Sequence, residues 1–327
     1  MWEALGDVGH YVEPFAGSLA VLLRRPHPCN RAYYSETVND IDGLLCNAWR
    51  SMQHSPDAMA DAASWPVCEA DLHARHLALL KWRSERQLGH LMGDPTWHDP
   101  VMAGWWVWGQ SCWIGGGWCS GEGPWTVGDD GRIVKAREPG VKLQRPHISN
   151  NGQGVNRPQS REAGVGEEHE YHPMTMPEVR RWFRFLSARL RHVRILNGDW
   201  RRAVTNGVLK SLSVRQGGHC GVFLDPPYAD TAGRDGNLYA HDDEQVAHAV
   251  RDWAVEHGDD ARYRIVLAGY EGEHVMPAGW RAVEWYRSGF LKGGMGDQQA
   301  RERLWLSPAC LSVRQGSLFD STEEVIG

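Results

Sequence analysis

The residues best equipped for chemistry are Asp225, Pro226, Pro227 and Tyr228. They follow an apolar run, Gly221-Val222-Phe223-Leu224, which reads as a buried strand ending in a sharp polar turn. Two consecutive prolines remove two backbone donors and stiffen the turn, so the tetrad is no ordinary segment of a sheet ladder. A carboxylate and an aromatic ring are thereby offered together at fixed spacing, at the strand end where open α/β sheets place their ligand crevices. A Pro-Pro turn carrying a surface tyrosine is the other reading of the tetrad, and the rest of the chain has to decide between them.

Three further stretches bear on that choice. His10-Tyr11-Val12-Glu13-Pro14-Phe15-Ala16-Gly17 reads as a short strand entering a glycine turn, with Ser18 placed to cap a helix running to about Arg24. Strand, glycine turn and helix in that order suit a nucleotide-like ligand at the helix start. About twenty residues on, the segment 32–42 reads as a second strand ending in Asn39-Asp40-Ile41-Asp42, followed by a helix through Leu44, Leu45 and Trp49. An acid there can hold ribose hydroxyls, or it can cap the helix; the spacing from the glycine turn favours Asp40 as the ribose ligand. A third strand, Val193-Arg194-Ile195-Leu196, ends in Asn197-Gly198-Asp199-Trp200. The strand ends thus present a glycine turn and acids at Asp40, Asp199 and Asp225, which describes one crevice in one sheet.

The elements that must position these groups divide the chain. Residues 1–50 and 176–327 carry the βα rhythm, while 51–175 interrupt it. The interruption holds a charged helical segment over 65–92 and then a tryptophan-rich stretch from Gly104 to Trp125. Most of those tryptophans are expected in a core, with base stacking the rarer use. Cys112 and Cys119 lack zinc-type spacing. Residues 128–170 are rich in glycine, amides and basic residues, including Arg145, Arg157 and Arg161, which suits phosphate and base-edge contacts or a plain surface loop. Beyond it, Pro177 to Val193 reads as an arginine-rich helix with Val179, Trp182, Phe183, Leu186 and Leu190 near helical spacing. A polar loop with Arg234 and Tyr239, a helix from about Asp243 to His257, a strand over 264–270 and a closing hairpin complete the chain. A glycine-rich loop containing Lys292 separates the two strands of that hairpin.

Bulk properties narrow the class. The 327 residues are 42% hydrophobic and 23% charged, as in globular proteins. No apolar run reaches the ~18 residues of a membrane span, and the first residues lack an export signal. Seven cysteines without regular spacing point to reduced thiols. The expectation is a cytoplasmic (intracellular) protein with no membrane partner. A net charge of −6 does not advertise a nucleic-acid binder, yet local arginine patches can still supply the field.

Taken together, the motifs resemble the Dam-type family of DNA adenine-N6 methyltransferases, in its actinobacterial and phage-like branch. Glu13-Pro14-Phe15-Ala16-Gly17 resembles the family's S-adenosylmethionine motif, Asn39-Asp40-Ile41-Asp42 its second-strand motif, and Asn197-Gly198-Asp199-Trp200 the acidic segment that touches the cofactor's adenine. Asp225-Pro226-Pro227-Tyr228 matches the catalytic motif residue for residue, and the order of the motifs, with a long insertion between the second and third, matches too. The resemblance covers roughly residues 11–50 and 177–307.

The resemblance implies a Rossmann-like α/β methyltransferase sheet with an inserted, mainly helical target-recognition region. S-adenosylmethionine is the implied cofactor, and the implied partner is duplex DNA with its target base flipped out. The implied catalytic residues are Asp225, Pro226, Pro227 and Tyr228, without a metal. Glu13, Pro14, Phe15, Ala16, Gly17, Asp40, Asp199 and Trp200 fall to the cofactor, and Arg145, Arg157, Arg161, Arg234, Tyr239 and Lys292 to DNA. The sequence departs from the family pattern in three ways. No aromatic-Gly-Lys segment precedes the first strand, Ser18-Leu19 stands where relatives carry further glycines, and the net charge is acidic. Cytosine N4 is the nearest alternative target, since both amines suit such a tetrad. A degenerate methyltransferase fold serving as a DNA-binding or assembly subunit is the alternative from another class.

Overall fold

The computed structural model describes residues 1–26, 33–85, 97–113, 118–119, 125–127, 133–135, 176–227, 244–285 and 302–312. Within them a seven-stranded mixed sheet carries helices on both faces. Its strands are β1 (His10–Glu13), β2 (Ser35–Asp40), β5 (Val193–Asn197), β6 (Cys220–Leu224), β7 (Tyr263–Tyr270), β8 (Arg281–Glu284) and β9 (Glu302–Leu306). Two short strands, β3 (Trp125–Val127) and β4 (Ile133–Lys135), form a separate antiparallel pair. The sheet order is β5-β2-β1-β6-β7-β9-β8. The first five strands are parallel, and β9 runs antiparallel between β7 and β8. All five residues of β6 are buried, as a parallel strand covered on both faces requires.

Side-chain alternation along the strands sorts the core into two layers. On one face Tyr11, Val38, Phe223, Val266 and Leu304 pack with α1 (Trp2–Leu5), α2 (Ala20–Leu23), α3 (Gly43–His54) and α7 (Met176–Leu190). On the other, Val12, Val222, Leu224, Ile265 and Leu267 pack with α10 (Glu244–His257), the 3-10 turn Trp200–Arg202, and the short helices α8 (Asn206–Leu209) and α9 (Leu212–Arg215).

The interrupting region contributes α4 (Pro56–Ala63), α5 (Glu69–Glu85) and α6 (Pro100–Cys112). These helices do not keep a core to themselves. Met59, Ala60 and Ala103 lie in the same buried layer as Tyr11, Phe183 and Leu186. Helices α4 and α6 approach so closely that a Cβ on Gly104 would stand 2.5 Å from the Ala62 Cβ and 2.6 Å from the Met59 carbonyl oxygen. No helix among the described residues is long and apolar enough to cross a membrane.

Two local expectations need correction. Ser18 does not cap α2. That helix spans only Ala20–Leu23, and Leu19 stands at its N-cap in the left-handed region (φ 55°) with no side-chain cap. Trp182 does not belong to the buried stripe of α7. Phe183, Leu186 and Leu190 fall at helical spacing and are buried, whereas Trp182 and Phe185 face outward and stack on each other at 5.2 Å. Periodicity does not announce α4, α6, α8 or α9, whereas α3, α10 and β7 fall close to where it puts them.

Candidate functional site

The strand order reverses between β1 and β6: β2 and β5 lie beyond the one, β7 beyond the other. This is a topological switch point, where the loops leaving two adjacent parallel strands diverge to opposite sides and open a crevice. Glu13 ends β1 and Pro14-Phe15-Ala16-Gly17 leads out of it, and the loop leaving β6 begins at Asp225-Pro226-Pro227. Val12 and Val222 are register partners, so the two segments leave the sheet almost side by side. Asp40 ends β2, and Asp199 follows β5.

Side-chain amides lace three of these loops together. Asn39 Nδ2 donates to the Pro14 carbonyl at 3.0 Å and to the Gly198 carbonyl at 2.9 Å, joining the exits of β1 and β5 from between them. Asn197 Nδ2 donates to the Asp40 carbonyl at 2.9 Å. Backbone bonds run from Ala16 N to Asn39 O (2.8 Å) and from Gly198 N to Asp40 O (2.9 Å). From α3, Trp49 Nε1 donates to the Gly17 carbonyl at 3.0 Å. Asn39, Asn197 and Trp49 are therefore part of the site's frame, a role that residue types and spacing do not assign them. The only signal for Asn39 and Asn197 is an amide close to each acid.

The two acids of the second-strand motif divide their work. Asp42 caps α3 by accepting from Leu44 N at 2.8 Å. Asp40 turns toward the glycine turn, accepting from Gly17 N at 3.0 Å and from Asp42 N at 2.9 Å. Gly17 takes φ +46°, and a Cβ there would meet no described residue within 4 Å, so open space lies over the turn among the described residues. Burial raises the Asp40 carboxyl to about 6, partly offset by the Asp42 and Gly17 N–H groups.

Glu13 is more deeply buried. Its Oε2 accepts from the Tyr11 hydroxyl at 3.1 Å, and the Leu22 N–H also reaches the carboxyl. Burial holds this carboxyl well above the usual range, and the charges of Asp225 and Asp40 push it the same way. Glu13, Asp40 and Asp225 thus sense one another across the ends of three neighbouring strands.

On the opposite side of the β5 exit, Trp200 is buried beside Phe15, ring centroids 6.2 Å apart and 30° from parallel. Its Nε1 is buried with no hydrogen-bond partner among the described residues. Asp199 is half exposed and accepts from Arg201 N at 2.9 Å and Arg201 Nη1 at 3.1 Å, while the Arg201 guanidinium lies 4.9 Å from the centre of the Trp200 ring. A cleft of about 420 Å³ opens beside Trp200, between the 3-10 turn and the Ala249 and Trp253 side of α10.

The structure therefore brings Glu13, Pro14, Phe15, Ala16, Gly17, Asp40, Asp199, Trp200, Asp225, Pro226 and Pro227 to one end of the sheet. Tyr228 and the six residues expected to contact DNA, Arg145, Arg157, Arg161, Arg234, Tyr239 and Lys292, lie outside the described residues. No protein-family model matches this chain, and no curated protein matches it either.

Proposed function

We propose that the chain is an S-adenosylmethionine-dependent DNA methyltransferase acting on the N6 amine of adenine, with residues 51–175 serving target recognition. The observation that carries this reading is the switch point: the glycine-turn motif and the Asp-Pro-Pro segment leave adjacent parallel strands, with Asp40 and Asp199 at the next two strand exits. The residues fit the cofactor. Open space over Gly17 leaves room for a ligand against the turn, acids suit a cation that also carries ribose hydroxyls, and the orphaned Trp200 Nε1 is a donor awaiting an acceptor. In this reading Glu13 to Gly17 and Asp40 hold the methionine and ribose portions, and Asp199 and Trp200 hold the adenine. When bound, S-adenosylmethionine supplies an activated methyl group.

The protein's own share of the chemistry is dictated by the weakness of the nucleophile. The lone pair of an exocyclic amine is delocalised into the heterocycle. Asp225 and the Pro226 carbonyl accept hydrogen bonds from the amine, localising that pair and stabilising the charge that develops on nitrogen. The two prolines fix those acceptors, so in-line transfer is mainly a matter of positioning. Tyr228 stacks on the target base after it leaves the duplex, offsetting the few kcal/mol of unstacking. Arg145, Arg157, Arg161, Arg234, Tyr239 and Lys292 hold the backbone and base edges.

The test is incubation with DNA and cofactor, and then nucleoside mass spectrometry. N6-methyl-2′-deoxyadenosine is expected, and Asp225→Ala should reduce the rate of its formation by about 10²–10³-fold or more. N4-methylcytosine instead would overturn the adenine assignment and leave the mechanism standing. Cofactor binding without any methylated nucleoside would favour the degenerate, DNA-binding reading.

A further inference from the structure

Glu13 is a buried carboxyl that forms no ion pair with any described arginine, lysine or histidine. Among the described residues the charged groups that act on it, Asp40 at the end of β2 and Asp225 after β6, both oppose its ionisation. Against them, the Tyr11 hydroxyl of its own strand and the Leu22 N–H of α2 donate to the carboxyl and favour its ionised form. The buried guanidinium groups of Arg25 and Arg189 are taken by Glu36, two residues nearer the amino end of the sheet, at 3.0 Å and 2.7 Å. A carboxyl so placed holds its proton more tightly than an ordinary carboxyl, because ionising it would bury a negative charge beside those of Asp40 and Asp225. A positive charge entering the crevice reverses that balance.

We infer that Glu13 is the residue by which the crevice tells a cationic cofactor from its neutral thioether product, releasing its proton as the cation arrives. The inference rests on the proposed function in taking the sulfonium of S-adenosylmethionine as that cation. The step balances simply: the O–H bond of the Glu13 carboxyl breaks, the proton passes to water or buffer, and the carboxylate left behind faces the ligand's charge. S-adenosylhomocysteine, neutral at sulfur, gives Glu13 less reason to ionise and so binds without the released proton. Product is then expelled partly because Glu13 takes its proton back.

The experiment is calorimetric titration of the full chain with each of the two ligands, in two buffers of the same neutral pH but different ionisation enthalpy. The expected result is release of close to one proton on binding S-adenosylmethionine and little on binding the thioether. The ratio of the two affinities should then rise about tenfold per pH unit while Glu13 remains protonated in the free protein. Glu13→Gln should bind both ligands with no proton release and a ratio flat in pH. Tyr11→Phe removes a donor to the ionised form, so it should weaken S-adenosylmethionine binding at neutral pH and leave the thioether unaffected. Tyr11→Phe also tests the idea should Glu13→Gln fail to fold. Binding of S-adenosylmethionine with no buffer dependence, or proton release that survives in Glu13→Gln, would overturn the inference and leave the methyltransferase reading in place. No binding of either ligand would sink that reading, and the inference with it.

Discussion

At the amino ends of β1 and β2 buried groups of opposite charge pair with one another, whereas at the carboxyl ends of the same strands acidic groups collect. Glu36, near the start of β2, is held by Arg25 and by a two-nitrogen contact from Arg189, and Arg189 also donates to the Leu22 carbonyl at 3.0 Å. The triad ties β2, α2 and α7 into one unit, and its charges are satisfied from within the chain. Four residues along β2 and two along β1, Asp40 and Glu13 are steadied, among the described residues, by N–H and O–H dipoles. A fold has no structural use for like charges brought together in that way, since each raises the cost of ionising the next. The contrast teaches where to look for a ligand: the end of the sheet whose charges need something from outside.

Four substitutions break or sharpen this comparison. Glu36→Gln should have the largest effect, because it leaves two buried guanidinium groups uncompensated; a loss of about 3–5 kcal/mol in urea unfolding is expected. Asn39→Ala comes next. It strips the donor from the Pro14 and Gly198 carbonyls, costing about 2 kcal/mol and loosening the crevice enough to weaken binding of the proposed cofactor in calorimetry. Asp40→Asn should change the pH dependence more than the stability itself. Burial raises the folded Asp40 carboxyl to about 6, so the folded protein holds that proton more tightly than the unfolded chain. Its contribution to stability is complete below the usual carboxylate range near ~4 and is lost as pH rises through about 6. Thermal denaturation of the wild type against Asp40→Asn across that window should show the variant losing this decline. Glu13→Gln should be the mildest, within about 1 kcal/mol of wild type at neutral pH, because a neutral carboxyl is exchanged for a neutral amide. A loss as large as that of Glu36→Gln would erase the distinction between the two ends.

Much of this arrangement is legible in the sequence, for a physical reason. Apolar runs that end in an acid or a glycine turn mark where a parallel strand leaves the core, and Glu13, Asp40, Asp199 and Asp225 all stand at such exits. What cannot be read is whatever depends on elements far apart in the chain meeting. Asn39 bonds to Gly198 across 159 positions, and Arg189 reaches Glu36 across 153. Nothing local distinguishes those side chains from surface amides and arginines. The misplaced cap at Ser18 has a local cause, because a left-handed Leu19 breaks the usual serine-to-helix geometry and no pattern of residue types announces it. The expectation for Trp182 fails because a helical stripe is about 100° wide, and a residue next to Phe183 falls just outside it.

The core that α4 and α6 share with the sheet has a consequence for protein engineering. Region 51–175 cannot be exchanged as a self-contained cassette. Removing it strips Met59, Ala60 and Ala103 from the layer that also holds Tyr11 and Leu186, so a foreign replacement must reproduce that apolar surface or leave the sheet exposed. A graft that keeps the chain through Cys112 and replaces only residues 113–175 leaves this layer intact. It also retains the helix that reaches Gly17 through Trp49. Solubility of the two chimeras would show how far back toward the sheet the interrupting region can be replaced.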